Sequence, residues 1–213
     1  MNALVLTVDR NSPGKKDFSG AFLPEALGFA RLHGVPAARV VRVDIGRTKA
    51  DRRKQVLAAI EGAGAGLELV AFLCHGLRTQ LPQLGWTVGN VRGLGAAIAG
   101  ASVPSVRVVL YACSTGEGTG ADGDGGLADG LRDALCVAGA RDCQVDAHER
   151  AAHTTQNPYV RRFPGLGSPS GGAGGAWIVT PGSAPWARWR KALRGDLRFR
   201  FPLLSTAAIL GSL

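Results

Sequence analysis

The segment Leu69-Val70-Ala71-Phe72-Leu73-Cys74-His75-Gly76 is an apolar run that stops at a histidine and a glycine. A second run, Val108-Val109-Leu110-Tyr111-Ala112-Cys113-Ser114-Thr115-Gly116, places Cys113 38 residues after His75. Continuous apolar runs of this length are typical of strands buried in a parallel sheet. Because neighbouring parallel strands have their carboxyl ends at the same edge of the sheet, we expect the His75 imidazole and the Cys113 thiol to lie side by side there.

Strands and helices alternate along the rest of the chain. Short apolar runs predict strands, and apolar residues three and four positions apart predict helices, one of which begins after a Thr48 cap. The fold class predicted is α/β, with a doubly wound, mostly parallel six-stranded sheet and helices on both faces, as in a three-layer sandwich. The predicted strands are 3–8, 39–45, 67–73, 106–112, 144–147 and 177–180, and the predicted helices are 23–32, 49–60, 88–99 and 127–137.

Length and composition predict a single globular domain. The chain has 213 residues, of which 46% are hydrophobic, and this is enough to form one core. No apolar run approaches the roughly 18 residues of a membrane span, and the first residues do not have the pattern of a secretory signal. The four cysteines fall inside predicted strands and helices, which favours free thiols. We therefore expect a cytoplasmic protein.

The positive charge is concentrated at the C-terminal end. The chain has a formal net charge of +9, and residues 186–213 contribute five of these charges and also contain two tryptophans. We therefore divide the chain into a domain over 1–185 and a basic aromatic segment over 186–213 that packs on the same domain. The alternative for this segment is contact with a nucleic acid or a membrane surface, because such segments also mix basic and aromatic residues.

The two strand ends resemble those of a known family. A His-Gly after one strand and an Ala-Cys after the next is the pattern of the caspase-like (clan CD) cysteine peptidases, and 112–118 is most similar to the CHAT-domain branch. The resemblance covers about residues 67–118. It implies that Cys113 is the nucleophile, that His75 is the general acid, and that the backbone N–H groups of Gly76 and Cys113 form the oxyanion hole.

The residues themselves fit this chemistry. Attack on a peptide carbonyl needs a nucleophile, a proton donor for the leaving amine and N–H groups that stabilise the oxyanion. A side chain at position 76 would crowd an approaching carbonyl, so glycine suits that position. Cys74 is expected to point away from His75 into the core, because side chains alternate along a strand. Cys136 and Cys143 are expected to be core residues as well.

Acidic residues near Cys113 predict the substrate preference. The candidates for substrate binding are Asp146, Glu117, Asp122 and Asp124, whose carboxylates would receive a basic side chain. Several members of the family prefer a basic residue before the scissile bond, and the resemblance implies the same here. Two glycine-rich segments, 114–126 and 165–176, are expected to be exposed loops, the first of them mobile.

No metal or other cofactor is predicted. Cys143, Asp146, His148 and His153 are residue types that bind zinc, but the spacing Cys-x4-His-x4-His is not a common structural zinc pattern. His148 and His153 are instead placed in a polar loop after the fifth strand. The loop around Asp122 and Asp124 lacks the terminal bidentate acid of a calcium-binding EF-hand.

The function predicted from these observations is that of a cysteine endopeptidase acting on protein or peptide substrates. A thioester acyl-enzyme on Cys113 would be hydrolysed by water, and the resemblance implies cleavage after a basic residue of the substrate. The resemblance also implies regulation by a separate protein. Two alternatives stay open: a catalytically inactive binding or scaffold protein with the same fold, and a basic nucleic-acid-associated protein that binds through 186–213.

Overall fold

The computed structural model of the protein describes residues 1–9, 22–167 and 174–195, and these ranges contain strands and helices in alternation. The strands are β1 (Ala3–Val8), β2 (Val40–Val43), β3 (Leu67–Leu73), β4 (Gln80–Leu81), β5 (Trp86–Thr87), β6 (Ser102–Tyr111), β7 (Gln144–His148), β8 (Val160–Pro164) and β9 (Ala176–Trp177). The α-helices are α1 (Phe22–Leu32), α2 (Lys49–Gly62), α3 (Val91–Ala101), α4 (Leu127–Val137) and α5 (Ala184–Ala192).

The central sheet has seven strands in the order β2-β1-β3-β6-β7-β8-β9, while β4 and β5 form a separate small hairpin. The strands β2, β1, β3, β6 and β7 are parallel to one another. The last two strands, β8 and β9, run antiparallel to their neighbours. The predicted α/β class is thus confirmed, although the sheet has seven strands and not six.

The strand of the central sheet that the sequence does not reveal is β8. It contains Arg161 and Arg162, whose charges hide the alternating pattern of a strand. In the fold Arg162 pairs with Asp146 on the neighbouring strand, and Arg161 pairs with Glu149 and Asp122, so both charges are compensated. The sixth strand predicted at 177–180 is reduced to the short edge strand β9.

Helices cover the sheet in two layers. One layer is α1, which contacts β1, β2 and β3, and the other contains α2, α3 and α4, which contact one another in sequence. Every residue of β1 is buried, as are six of the seven residues of β3, because these central strands lie between the layers. Helix α2 begins as predicted at Thr48, whose hydroxyl accepts the backbone N–H of Asp51.

Helix α5 packs on the far end of the sheet. It spans residue 185, where we placed the end of the domain and the start of the basic aromatic segment. Its Trp186 and Trp189 are buried in a second, smaller core with Val160 and Val179. The Trp186 indole N–H also donates to the carbonyl of Pro158 at 3.3 Å. Basic side chains of α5 remain exposed. The rest of the predicted C-terminal segment, 196–213, lies outside the described residues.

The helices of the described ranges include none that is both long and apolar enough to cross a membrane.

Candidate active site

The ends of β3 and β6 bring the predicted nucleophile and the predicted acid to one edge of the sheet. The two strands are parallel neighbours, and their last paired residues are Leu73 and Tyr111. His75 is two residues beyond the first of these, and Cys113 is two residues beyond the second. Sequence positions 38 residues apart are therefore adjacent in the fold, at the carboxyl edge where α/β proteins place their sites.

Gly76 lies directly on the backbone of the turn that carries Cys113. A Cβ atom added at Gly76 would lie 2.6 Å from the carbonyl oxygen of Cys113, 2.6 Å from Cγ2 of Thr115 and 2.7 Å from Cβ of Ala112. Contacts this short are not available to a side chain, so only glycine allows the two loops to approach so closely. The glycine after His75 thus sets the distance between the two halves of the site.

His75 is held through its backbone and its ring. Its N–H donates to Oε1 of Gln83 at 2.7 Å, and its imidazole meets the Phe22 ring edge to face, with 4.9 Å between the centroids. Phe22 is the first residue of α1, the element after β1, and His75 follows β3, so the segments after these two strands meet at the same site. The His75 side chain is exposed at this edge.

Cys113 lies in a tight turn with unusual backbone geometry. The next residue, Ser114, has a φ of 56°, which is uncommon for a residue that has a side chain. The Thr115 hydroxyl donates to the carbonyl of Ala112 at 2.8 Å and closes the turn. The half-buried Cys113 thiol donates to the carbonyl of Ala152 at 3.5 Å. Strain of this kind often occurs where a reactive side chain must be held in place.

The backbone N–H groups of Gly76 and Cys113 are the oxyanion donors that the resemblance implies. Among the described residues, neither N–H has a hydrogen-bond acceptor. Backbone N–H groups in folded proteins are nearly always paired, either with protein groups or with water. Two N–H groups left open beside a thiol are available to a carbonyl oxygen of a bound molecule.

A pocket of about 110 Å³ opens between these groups. His75 and Cys113 are both among the residues that line it. Its lining contains three imidazole rings, two thiols and two residues with a hydroxyl group, and the rest is formed by one phenylalanine and two alanines. The lining residues are Phe22, Cys74, His75, Tyr111, Ala112, Cys113, His148, Ala152, His153 and Thr154.

His148 is the residue of this pocket that the sequence reasoning placed wrongly. It is the last residue of β7 and is 2% exposed, whereas we expected it in a polar loop. Burial, together with the nearby charge of His153, lowers the pKa of His148 to about 3, so the imidazole is neutral. Its Nε2 atom has no hydrogen-bond partner among the described residues. The strand-end rule applied to His75 and Cys113 would have found His148 as well, because β7 is the next strand in the sheet.

The other three cysteines are buried, as expected. Burial, reinforced by the nearby Cys113, raises the pKa of Cys74 far above its usual range, although this thiol also lines the pocket. The Sγ atoms of Cys136 and Cys143 are 3.8 Å apart, and all four cysteines are free. Burial, with Cys136 beside it, raises the pKa of Cys143 to about 12. Of the four thiols, Cys113 alone is not fully buried.

The four acidic residues predicted to bind substrate do not line this pocket. Asp146 is 1% exposed, and its two oxygens accept from Nε and Nη2 of Arg162 at 2.9 and 3.1 Å. Asp122 accepts from Arg161 at 3.3 Å, while Glu117 and Asp124 are exposed in the loop after Cys113. The Asp146 side chain is thus occupied by an ion pair on its own sheet.

The glycine-rich loop after Cys113 is folded back tightly on itself. At Gly118, a Cβ would approach the backbone of Gly123 and Asp124 to within about 2.3 Å, so the loop doubles back on itself. The buried Asp129 accepts the N–H of Gly125 and pairs with the buried Arg132, which fixes the far end of the loop. Of the second glycine-rich segment, 168–173 lie outside the described residues.

Metal binding finds no geometric support. In the part of the chain that the structure describes, no three His, Cys, Asp or Glu side chains come together in a way that would hold a metal ion. Cys143 packs against Cys136, and Asp146 pairs with Arg162, so these two members of the weak zinc pattern have other partners.

The fold and the site together define an α/β domain with a thiol and an imidazole at the carboxyl edge of its parallel strands. Comparison with models of protein families gives no match, and neither the curated proteins nor the solved structures provide a significant match to this chain.

Proposed function

We propose that the protein is a cysteine endopeptidase that hydrolyses peptide bonds through Cys113 and His75. One observation carries the proposal: both residues line a single pocket at the ends of neighbouring parallel strands, and Gly76 rests on the backbone of Cys113. A nucleophile, a proton carrier and open N–H groups are the parts that acyl transfer needs. The caspase-like pattern of the sequence supports the same reaction.

The reaction has two halves. In the first, Cys113 Sγ adds to the carbonyl carbon while His75 takes up the thiol proton, and the oxyanion is held by the N–H groups of Gly76 and Cys113. The C–N bond then breaks, His75 gives its proton to the leaving amine, and a thioester remains. In the second half, water adds to the thioester as His75 accepts its proton, and the C–S bond breaks to return the protonated thiol.

A specific observation favours a second candidate, a binding protein without catalysis. The thiol of Cys113 donates a hydrogen bond to the carbonyl of Ala152, a bond that only the protonated sulfur makes. The thiolate is the nucleophilic form, so a thiol that kept this bond would not react. A separate regulatory protein that moved the segment of Ala152 would free the sulfur, which fits the regulation that the resemblance implies.

The test is a survey of new peptide N-termini released from a mixed proteome. Wild-type protein is compared with Cys113→Ala, His75→Ala and the control Cys136→Ala, which removes a thiol outside the pocket. The proposal expects new N-termini from the wild type and from the control, and a loss of at least about 100-fold in the other two variants. The same N-termini from Cys113→Ala, or none from any folded variant, would favour the binding protein.

A further inference from the structure

Two thiols meet at the edge of the sheet opposite to Cys113. Cys136 lies in the last turn of α4, and Cys143 directly precedes β7. Their Sγ atoms are 3.8 Å apart, and neither cysteine is in a disulfide. A disulfide bond is about 2.05 Å long, so the two sulfur atoms need to approach each other by only about 1.8 Å to form one.

Hydrogen bonds of the backbone hold the two thiols in this contact. After α4 the chain turns back at Gly139, which has a φ of 102°, and the N–H of Ala140 donates to the carbonyl of Leu135 at 3.0 Å. The N–H of Cys143 donates to the carbonyl of Ala140 at 3.3 Å, and its own carbonyl accepts from the N–H of Gly165 at 2.7 Å. The contact between the sulfur atoms is therefore set by the fold of this short connection.

We propose that Cys136 and Cys143 are a redox-active pair, which a low-molecular-weight disulfide such as oxidised glutathione converts reversibly into an intramolecular disulfide. The bond cross-links the end of α4 to the start of β7. The inference does not depend on the proposed function, because neither of these residues lines the pocket of Cys113.

The reaction is two successive thiol–disulfide exchanges. Cys136 begins it, because it keeps 8% of its surface exposed whereas Cys143 keeps 2%. The Cys136 thiolate attacks one sulfur of oxidised glutathione, a mixed disulfide forms, and one glutathione thiolate leaves. The Cys143 thiol then loses its proton to solvent and attacks Sγ of Cys136, which expels the second glutathione thiolate. The protein loses two electrons and two protons, and oxidised glutathione gains them.

The burial of Cys143 slows the second exchange without preventing it. Burial, with Cys136 beside it, raises the pKa of Cys143 to about 12, so about one molecule in 10,000 carries this thiolate at about pH 8. The attack is intramolecular, however, and well-oriented groups within one molecule have effective concentrations of about 10⁵ M or more. Compared with a competing thiol at about millimolar concentration, this advantage exceeds the loss from the small thiolate fraction.

The experiment equilibrates the protein with mixtures of reduced and oxidised glutathione, both in native buffer and in concentrated urea. The reaction is stopped with acid, free thiols are alkylated, and each disulfide is located by mass spectrometry of the peptides. The glutathione ratio at half-oxidation gives the effective concentration of the pair. Wild type is compared with Cys136→Ser, with Cys143→Ser and with the matched control Cys113→Ala, which removes a thiol but keeps the pair.

We expect one intramolecular disulfide, between Cys136 and Cys143, in the wild type and in Cys113→Ala, and excess reduced glutathione should reverse it. The effective concentration should be at least about tenfold higher in native buffer than in urea, because the unfolded chain must first close a loop. By linkage, the unfolding constant of the oxidised protein falls by the same factor. In Cys143→Ser, the reaction should stop at a mixed disulfide on Cys136, and in Cys136→Ser the remaining Cys143 should stay reduced.

Three results would overturn the inference. The first is an effective concentration that is no higher in native buffer than in urea. The second is native wild-type protein in which glutathione stays on Cys136 while Cys143 remains a free thiol. The third is oxidation of Cys113 with both members of the pair unmodified, which leaves the peptidase proposal as it stands. If a serine variant does not fold, the comparison of the wild type in native buffer and in urea decides alone.

Discussion

Replacement of Gly76 by alanine tests whether the two loops of the site meet as the structure has them. The φ of Gly76 lies outside the left-handed region, so its backbone accepts an alanine, and the effect comes from contacts alone. The new methyl group would meet the Cys113 carbonyl oxygen and the Thr115 methyl at 2.6 Å each. Thr115 cannot turn away cheaply, because it is fully buried and its hydroxyl is bonded to Ala112.

The magnitude follows from these contacts. Overpacking of a close contact costs about 1–3 kcal/mol of unfolding free energy, and relief requires the loops to separate by several tenths of an ångström. Separation moves the N–H of position 76 away from the proposed oxyanion position, and in enzymes loss of one such donor lowers turnover about 100- to 1000-fold. We expect Gly76→Ala to unfold at a lower urea concentration than the wild type. We also expect its Cys113 to react at least about tenfold more slowly with a peptidyl chloromethyl ketone that has glycine next to the ketone.

Gly100→Ala is the matched control for this substitution. Gly100 lies near the end of α3, and a Cβ built there has nothing within 4 Å, so the alanine should leave Cys113 labelling unchanged. It should raise the unfolding free energy slightly, by up to about 1 kcal/mol, because alanine is the better helix former. Equal stability and equal labelling of Gly76→Ala and the wild type would refute the close approach of the two loops.

Three further predictions concern buried groups. The unfolded chain protonates His148 near the ordinary pKa of 6.5, but the folded protein protonates it only near pH 3. Unfolding therefore takes up a proton between these values, and stability falls as the pH is lowered. His148→Phe should remove about 2–3 kcal/mol of the stability that the wild type loses between pH 7 and pH 4.5, as measured by urea titrations. Asp146→Asn should lower the unfolding free energy by about 1–3 kcal/mol because Arg162 loses its carboxylate, with Cys113 labelling within twofold; a tenfold fall in labelling would instead assign Asp146 to substrate binding. Iodoacetamide at pH 8 should modify Cys113 first and Cys143 only after unfolding, since burial keeps the latter protonated, and equal rates would contradict the buried site.

The parallel part of the fold is legible in the sequence because its strands are buried on both faces. Runs such as 67–73 and 106–111 are almost continuously apolar, and the helices between them carry local signals, for example the cap at Thr48. Such signals depend only on residues close in the sequence. The same property made the edge of the sheet, and with it His75 and Cys113, predictable from two strand endings.

The features that the sequence did not reveal depend on distant partners. Nothing near Arg162 indicates that it lies in a strand, because the carboxylate that compensates it is 16 residues away. Asp146 was assigned to substrate binding because it ends a strand, yet the same pairing occupies it. Likewise the hairpin of β4 and β5 has two residues in each strand, which is too short for any periodicity to appear.

The tight folding of the loop after Cys113 changes how an activation step would work. A mobile loop would have to become ordered when substrate binds, and the ordering entropy would oppose binding. Here the loop is held at both ends: Gly116 N–H donates to the carbonyl of His148, and Asp129 and Arg132 fix the segment before α4. The turn that carries Cys113 is therefore organised in advance, and on the proposed mechanism its N–H groups would need no rearrangement during the reaction. The contact that the proposed mechanism would have to break lies on the other side of the thiol, in its hydrogen bond to Ala152, so a regulator of this site would act on the segment after β7.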